Sequence, residues 1–368
     1  MVASLSKGRF FGIKAGFGLA VVFFAALIFI KPVPALAFVG GDGSTSTPFQ
    51  ISTCQDLQDI GSNLTAHYIL TSDVDCSGTP SFMPIAAGAG QESGFAGELN
   101  GDNFTIHDVT VSSSTTEDLM GGIFDTTSPG ANIHDLVIAS STFSGAFGEG
   151  GSQVGALAGE AFGGTFTNIT VMSSVTVYAD QAGKVGGLIG FASDDPSQGL
   201  TISNCSSSPA FILNDLTDPA NNIGGLVGFV GSYNNSISIT YSSSNSDLNF
   251  PGSNTSYVGG LIGWVENNAS STITIANSEA TGNVSAEDNS GGLIGTLMMN
   301  TNTDMPDNAK ASIVVRQDTA LGNVLVVSPY SDNFDFDNFG GGLIGAVSVY
   351  ATGTQDSLIS VLNSSSRW

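Results

Sequence analysis

Positive charge is what this 368-residue sequence has least of: 8 Lys and Arg stand against 32 Asp and Glu. Four of the cations, Lys7, Arg9, Lys14 and Lys31, fall within the first 37 residues, which carry no acid. From residue 38 onward only Lys184, Lys310, Arg316 and Arg367 face all the acids, formally 4 − 32 = −28. A surface of that sign repels nucleic acid and anionic lipid headgroups, which are held by cations that neutralise phosphate. It disfavours anionic polysaccharides for the same reason. Cysteine is nearly absent, with Cys54, Cys76 and Cys205 only, and no C-x-x-C or Cys/His spacing suggests zinc. Outside the cytosol Cys54 and Cys76 can bridge, leaving Cys205 over to point into the core of its repeat. Histidine occurs three times, His67, His107 and His134. None has a nucleophile beside it or a metal-ligand spacing, so all three read as structural. The sequence has no G-x-S-x-G elbow, no H-E-x-x-H and no phosphate loop, and no Lys or Arg cluster that would abstract a proton beside a uronate carboxylate.

Long apolar runs are also missing, with one exception. Ala15 to Ile30 is an uncharged stretch of 16 residues behind a basic start, followed by Ala35-Leu36-Ala37. That is the grammar of a secretory signal cleaved after Ala37. An uncleaved anchor is the alternative, but a span needs about 20 apolar residues. The expected layout is therefore a signal peptide over 1–37, a leading, capping segment over 38–111 and repeats over 112–368. No membrane span is expected after cleavage.

Glycine, by contrast, is abundant, and its positions repeat. Val185-Gly186-Gly187-Leu188-Ile189-Gly190, Ile223-Gly224-Gly225-Leu226-Val227-Gly228 and Val258-Gly259-Gly260-Leu261-Ile262-Gly263 are near copies. Gly291-Gly292-Leu293-Ile294-Gly295 and Gly341-Gly342-Leu343-Ile344-Gly345 continue the series. Two degenerate copies, led by Gly121 and Gly155, precede it. The first glycines are spaced by 34, 31, 38, 35, 32 and 50 residues. Each motif is followed by an alternating β-branched segment, such as Leu200-Thr-Ile-Ser203 or Thr272-Ile-Thr-Ile-Ala276, with period 2. A weaker third strand follows, as in Gly322-Asn-Val-Leu-Val-Val327.

A unit of two or three short strands cannot bury its apolar face alone, whereas stacked copies can. The expectation is an all-β fold, a right-handed parallel β-helix. Leu157, Leu188, Leu226, Leu261, Leu293 and Leu343 should form one column, and Ile189, Val227, Ile262, Ile294 and Ile344 its neighbour. The motif glycines are expected to supply positive φ at a corner and to allow close approach between coils. A sandwich of hairpins would need Asn-Gly or Asp-Gly turns, and Asn100-Gly101 is the lone candidate.

The Gly-Gly-Leu-Ile-Gly core resembles the GLUG motif found in tandem in exported bacterial surface proteins. Phe49-Gln-Ile-Ser, Tyr68-Ile-Leu-Thr-Ser-Asp-Val-Asp75 and Phe95-Ala-Gly-Glu-Leu-Asn-Gly101 are similar to the segment that precedes such repeats. The resemblance covers about residues 48 to 368. It implies a surface or secreted repeat protein, while the family's members range from adhesin-like proteins to peptidase-associated modules. The chain departs from the usual layout after Asn363, where no capping helix or sorting signal follows. That departure suggests a truncated end or a partner on the final coil.

Three candidate chemistries remain. Asp332, Asp335 and Asp337 sit in the one oversized repeat and offer oxygen ligands to Ca²⁺, though not at EF-hand spacing. Tyr233, Tyr257, Trp264 and Phe334 offer stacking surfaces for sugars, with corner packing as the default. Asp73, Asp75, Asp102, Asp108 and Asp135 are the carboxylates a polysaccharide hydrolase would draw on. Without a catalytic cluster, the reading is a non-enzymatic, adhesin-like scaffold for an unknown extracellular protein or glycan. A hydrolase is the first alternative and a passive spacer of a longer surface protein the second. No cofactor is expected.

Overall fold

The computed structural model describes residues 38–112, 121–145, 152–180, 182–214, 221–251, 255–268, 270–301, 310–326, 340–351 and 356–366. The expected signal segment, residues 1–37, lies outside them. Among the described residues no helix is long and apolar enough to cross a membrane.

From Phe38 on, the described residues coil into a parallel β-helix, and every pairing between their named strands is parallel. Each coil starts at the glycine motif. The strands before the motif leucine, Ser152–Val154, Ala182–Gly186, Asn222–Gly224, Val258–Gly259, Ser290–Gly291 and Gly340–Gly341, stack into one sheet. Those after it form a seven-stranded sheet, from Phe124–Thr127 through Ile189–Ser193 and Val227–Ser232 to Ile344–Ala351. The alternating segments, among them Leu200–Ser203, Ile237–Thr240 and Thr272–Ala276, build the broad sheet on another side. Short third strands such as Leu248–Asn249, Val284–Ala286 and Val324–Val326 complete the coil.

The expected columns are present. Ile189, Val227, Ile262, Ile294 and Ile344 are register partners in succession. The leucines are tied by backbone bonds of 2.8–2.9 Å, Leu157 N–H donating to the Leu188 carbonyl and so on to Leu343. Leu157, Leu188, Leu226, Leu261 and Leu293 are fully buried, each contributing roughly 2 kcal/mol of transfer free energy. That burial comes from the next rung. In the last described coil Val347 and Val349 are 53% and 54% exposed, whereas their register partners Leu297 and Met299 are at 0%.

The motif glycines act differently from the expectation. None has positive φ. Their hydrogen atoms instead occupy the only space left between coils. A Cβ at Gly224 would collide with the Val227 carbonyl and lie 2.7 Å from the Gly263 nitrogen one rung on. One at Gly187, Gly225, Gly260 or Gly292 would strike the carbonyl of the equivalent glycine in the next coil. One at Gly190, Gly228, Gly263 or Gly295 would sit 2.5–2.6 Å from backbone of the coil before.

Positive φ belongs to another column, the bend inside the broad sheet: Asp135, Asn168, Asn204, Tyr241, Asn277, Gln317 and Asn363, all between 52° and 60°. Asn and Asp tolerate this region because their short side chains bond locally. Here they also bond along the column: Asn204 Nδ2 donates to Asn168 Oδ1 (3.0 Å), and Asn168 Nδ2 to Asp135 Oδ1 (2.8 Å). Tyr241 interrupts the series, with its side chain 63% exposed. Tyr241→Asn should therefore raise stability by about 1 kcal/mol. Thermal unfolding checks this, and an unchanged or lower Tm would count against the strain.

The first coils carry an aromatic and disulfide-braced end. Phe38 stacks on Phe49 (ring centroids 4.5 Å apart), and Tyr68, Phe95 and Phe124 follow inward. Cys54 and Cys76 are bridged across 22 residues, a loop whose closure is worth about 3 kcal/mol in the chain-entropy account. The sequence offers no sustained helical period, yet Cys54–Asp59 is a helix. Its six residues are fixed by a capping box, in which the Thr53 hydroxyl accepts from Asp56 N–H and the Asp56 carboxylate accepts from Thr53 N–H. Leu57 and Ile60 are buried beneath it.

Candidate interaction surface

The seven-stranded sheet alternates inward and outward residues. Ala161, Ala192, Val230, Val265 and Leu297 belong to the core. The residues one position earlier, Glu160, Phe191, Phe229, Trp264 and Thr296, are register partners on the side away from that core, where Phe229 and Thr296 are nonetheless buried and the other three half-buried. Three of them are aromatic, and the rings form a continuous column. Phe162 meets Phe191 at 5.6 Å, Phe191 stacks on Phe229 at 5.4 Å, and Phe229 meets Trp264 at 5.9 Å. Tyr257 closes on Trp264 at 4.4 Å. Lys184, from the neighbouring sheet, holds its ammonium over Phe191 (5.2 Å) and Phe229 (5.7 Å), a cation–π arrangement.

Lys184 and Glu160 share this face half-buried. Burial pulls the Lys184 pKa down, opposed by the Glu160 charge. Burial likewise pushes Glu160 up, opposed by Lys184. The Trp264 indole N–H is buried with no hydrogen-bond partner among the described residues. Tyr233, 47% exposed, lies beyond, on a turn whose backbone N–H groups at Tyr233 and Asn234 both donate to Asp194 at 2.7 Å.

The outer face of the broad sheet is instead a lattice of hydroxyls. Thr165, Thr201, Ser238 and Thr274 are register partners, as are Thr167, Ser203 and Thr240. Bonds run along these columns, for example Thr240 Oγ1 to Ser203 Oγ at 3.2 Å. Nearer the leading end the same face carries the histidines, each against a carboxylate. His67 Nδ1 lies 2.7 Å from Glu98 Oε2, and His134 Nε2 lies 3.2 Å from Glu98 Oε1. His134 Nδ1 meets Asp135 at 2.8 Å, and His107 Nδ1 meets Asp108 at 2.7 Å. Desolvation pushes Glu98 up, but the hydrogen bonds from His67 and His134 outweigh it and hold the carboxyl below its ordinary range. Hydrogen bonds from His134 and Asn168 hold Asp135 low in the same way.

The candidate residues from the sequence fall as follows. Asp73 accepts from the Thr105 N–H, and Asp75 and Asp108 both approach His107. Asp102 has positive φ beside Asn103, its N–H donating to Asn100 Oδ1. The Ca²⁺ candidates Asp332, Asp335 and Asp337, and Phe334, lie outside the described residues. Cys205 is buried and free, its thiol pushed up to about 12 by desolvation. A cleft of about 600 Å³ opens where the 83–97 loop meets the Asp195 turn, with Gln91 Nε2 donating to Asp195 Oδ2 at 2.8 Å. Along the sequence the aromatics look scattered. In the fold they are aligned, and the signal for it is the residue following the last motif glycine: Phe191, Phe229 and Trp264 in three successive copies.

This architecture is that of a parallel β-solenoid. No family model matches the chain. Over 161 residues, 41% of its length, it is 30% identical to halomucin of Haloquadratum walsbyi, of which it spans only 2%. Its fold is similar to that of a solved candidate immunoglobulin A1 protease from Bacteroides ovatus, with a TM-score of 0.52 and 17% identity over 87% of this chain and 86% of the other. At that identity the likeness concerns fold alone.

Proposed function

We propose that this chain is an exported, non-enzymatic repeat scaffold of adhesin-like character, built on GLUG-type repeats, which engages an extracellular protein or glycan along its outer columns. The observation that carries the reading is the aromatic column with Lys184 above it. Stacking fixes the rings at one spacing per rung. Phe162, Phe191 and Trp264 are half-buried and keep open edges of the kind sugars and protein side chains pack against, while Phe229 between them is buried and ties the column together. The similarity to a halomucin, a mucin by name, supports an extracellular setting, and the acidic surface suits a protein that must stay dispersed there. With so few cations on this chain, neutral glycans and basic or neutral protein surfaces are the fitting classes.

An array of glycans and extracellular proteins tests the proposal with wild-type protein and Trp264→Ala, each checked for folding by its Tm. Retained binders should be weakened at least tenfold in Trp264→Ala, with no glycan turned over. Turnover abolished by one Asp→Asn change among Asp73, Asp75, Asp102, Asp108 and Asp135 would replace this reading with the hydrolase.

A further inference from the structure

We infer that Asp75, His107 and Asp108 form a binding site for one Zn²⁺ ion on the leading coils, separate from the aromatic column. Three elements of the fold bring the ligand atoms together. Asp75 and His107 are register partners on neighbouring parallel strands, Val74–Asp75 and Thr105–His107, so their side chains leave the same face one rung apart. Asp108 follows His107 directly and would ordinarily point to the opposite side. Its φ of 59° turns the chain so that its carboxylate comes back beside the imidazole.

As a result His107 Nδ1 lies 2.7 Å from Asp108 Oδ2 and 3.9 Å from Asp75 Oδ1. The three ligand atoms all lie within 4.8 Å of one another. Zinc bonds to imidazole nitrogen and carboxylate oxygen run ~2.0–2.2 Å, which places ligand atoms about 3–3.5 Å apart around the ion. The observed separations bracket that value, so side-chain rotation suffices. Asp75 is held in place by the Ser77 N–H, which donates to its Oδ1 at 2.8 Å.

One imidazole with two carboxylates favours Zn²⁺ over Ca²⁺, which takes six to eight oxygens. On binding, the Nδ1–H bond to Asp108 is replaced by an Nδ1–Zn bond; in a neutral ring that proton moves through water to Nε2, and in an imidazolium it is released to water. The remaining positions belong to water. The ion would tie the strand beside Cys76 to the next rung, close to the disulfide.

His134 supplies a control within the same fold. It also precedes an Asp at positive φ, Asp135 at 55°. Its two carboxylates, however, sit on opposite ring nitrogens, Asp135 at Nδ1 and Glu98 at Nε2, so they cannot share one ion with it.

Titrating the purified, disulfide-intact protein with ZnCl2 in a calorimeter tests the site. One equivalent should bind, His107→Ala and Asp108→Asn should each weaken it at least tenfold, and His134→Ala should leave it unchanged. The Tm of the wild type should rise with Zn²⁺ and that of His107→Ala should not. Should those variants fold poorly, the histidine ring signals of the wild type decide the matter, because one imidazole of three should shift with Zn²⁺ and the others stay. Binding that survives His107→Ala, ring shifts spread over all three histidines, or displacement by equimolar Ca²⁺ would each overturn the proposal in favour of diffuse attraction to an acidic surface.

Discussion

Gly260→Ala, the addition of a single methyl group, is expected to destabilise the protein by about 4 kcal/mol or more. The added carbon would meet the Gly292 carbonyl of the next rung and lie 2.9 Å from the Ala280 Cβ. Neither contact can move without separating two strands whose spacing is set by their own hydrogen bonds. Values of this size come from overpacking where nothing can yield. Gly78→Ala is the matched control, since a Cβ there meets nothing within 4 Å. Chemical or thermal unfolding of the two variants should differ by several kcal/mol. A Gly260→Ala protein as stable as Gly78→Ala would mean that the coils are not in contact at the motif.

The second large effect is a gain. Directly after the positive-φ column comes an inward column: Leu136, Ile169, Cys205, Ser242, Ser278 and Asp318, all at most 2% exposed. From Cys205 on, each backbone N–H donates to the polar side chain of the next rung. Cys205 N–H donates to Ser242 Oγ (3.2 Å), Ser242 N–H to Ser278 Oγ (3.3 Å), and Ser278 N–H to Asp318 Oδ1 (2.7 Å). Serine meets that demand with a neutral oxygen. Asp318 meets it with a carboxylate whose Oδ2 is buried without a partner among the described residues. Desolvation raises its pKa from 3.8 to about 6, against the hydrogen bonds from Ser278 and Arg316.

An acid whose folded pKa is raised binds its proton more tightly folded than unfolded. The destabilisation is therefore absent below pH 4, grows between pH 4 and 6, and is complete above pH 6. A rise from 3.8 to about 6 is equivalent to about 3 kcal/mol, so Asp318→Ser should stabilise the protein by about that amount at pH 8. At pH 3.5 it should change little. Unfolding free energies of both proteins at the two pH values check this, and equal stability at pH 8 would show that the carboxylate is not desolvated.

Much of the fold was legible because a solenoid reuses its rung. The Leu188, Leu226 and Leu261 column and its Ile189, Val227 and Ile262 neighbour could be placed from spacing alone, since equivalent positions stack by construction. The role of glycine was only half visible. That Gly224 and Gly260 admit close approach follows from their lack of a side chain, but φ is set by where the chain bends. The bend falls at Asn168, Asn204 and Asn277, which the sequence presents simply as polar residues after a strand. The strained Tyr241 and the buried Asp318 were invisible for a related reason. Each is unremarked in its own segment and becomes anomalous only beside its column mates. The pairing of His67 and His134 through Glu98 depends on residues more than 30 positions apart, brought together by coil length, and no local motif encodes it.

Every one of these effects depends on equivalent residues being neighbours across rungs, and cysteine cross-linking measures that directly. Thr201 and Ser238 are register partners, about 4.8 Å apart across a parallel ladder and within reach of a disulfide. Thr201 and Thr274 are two rungs apart through Ser238, about 10 Å and out of reach. With Cys205 replaced by Ser, the pair Thr201→Cys/Ser238→Cys should close under mild oxidation and the pair Thr201→Cys/Thr274→Cys should remain as free thiols. Failure of the first pair to close, or closure of both alike, would contradict the stacked coil.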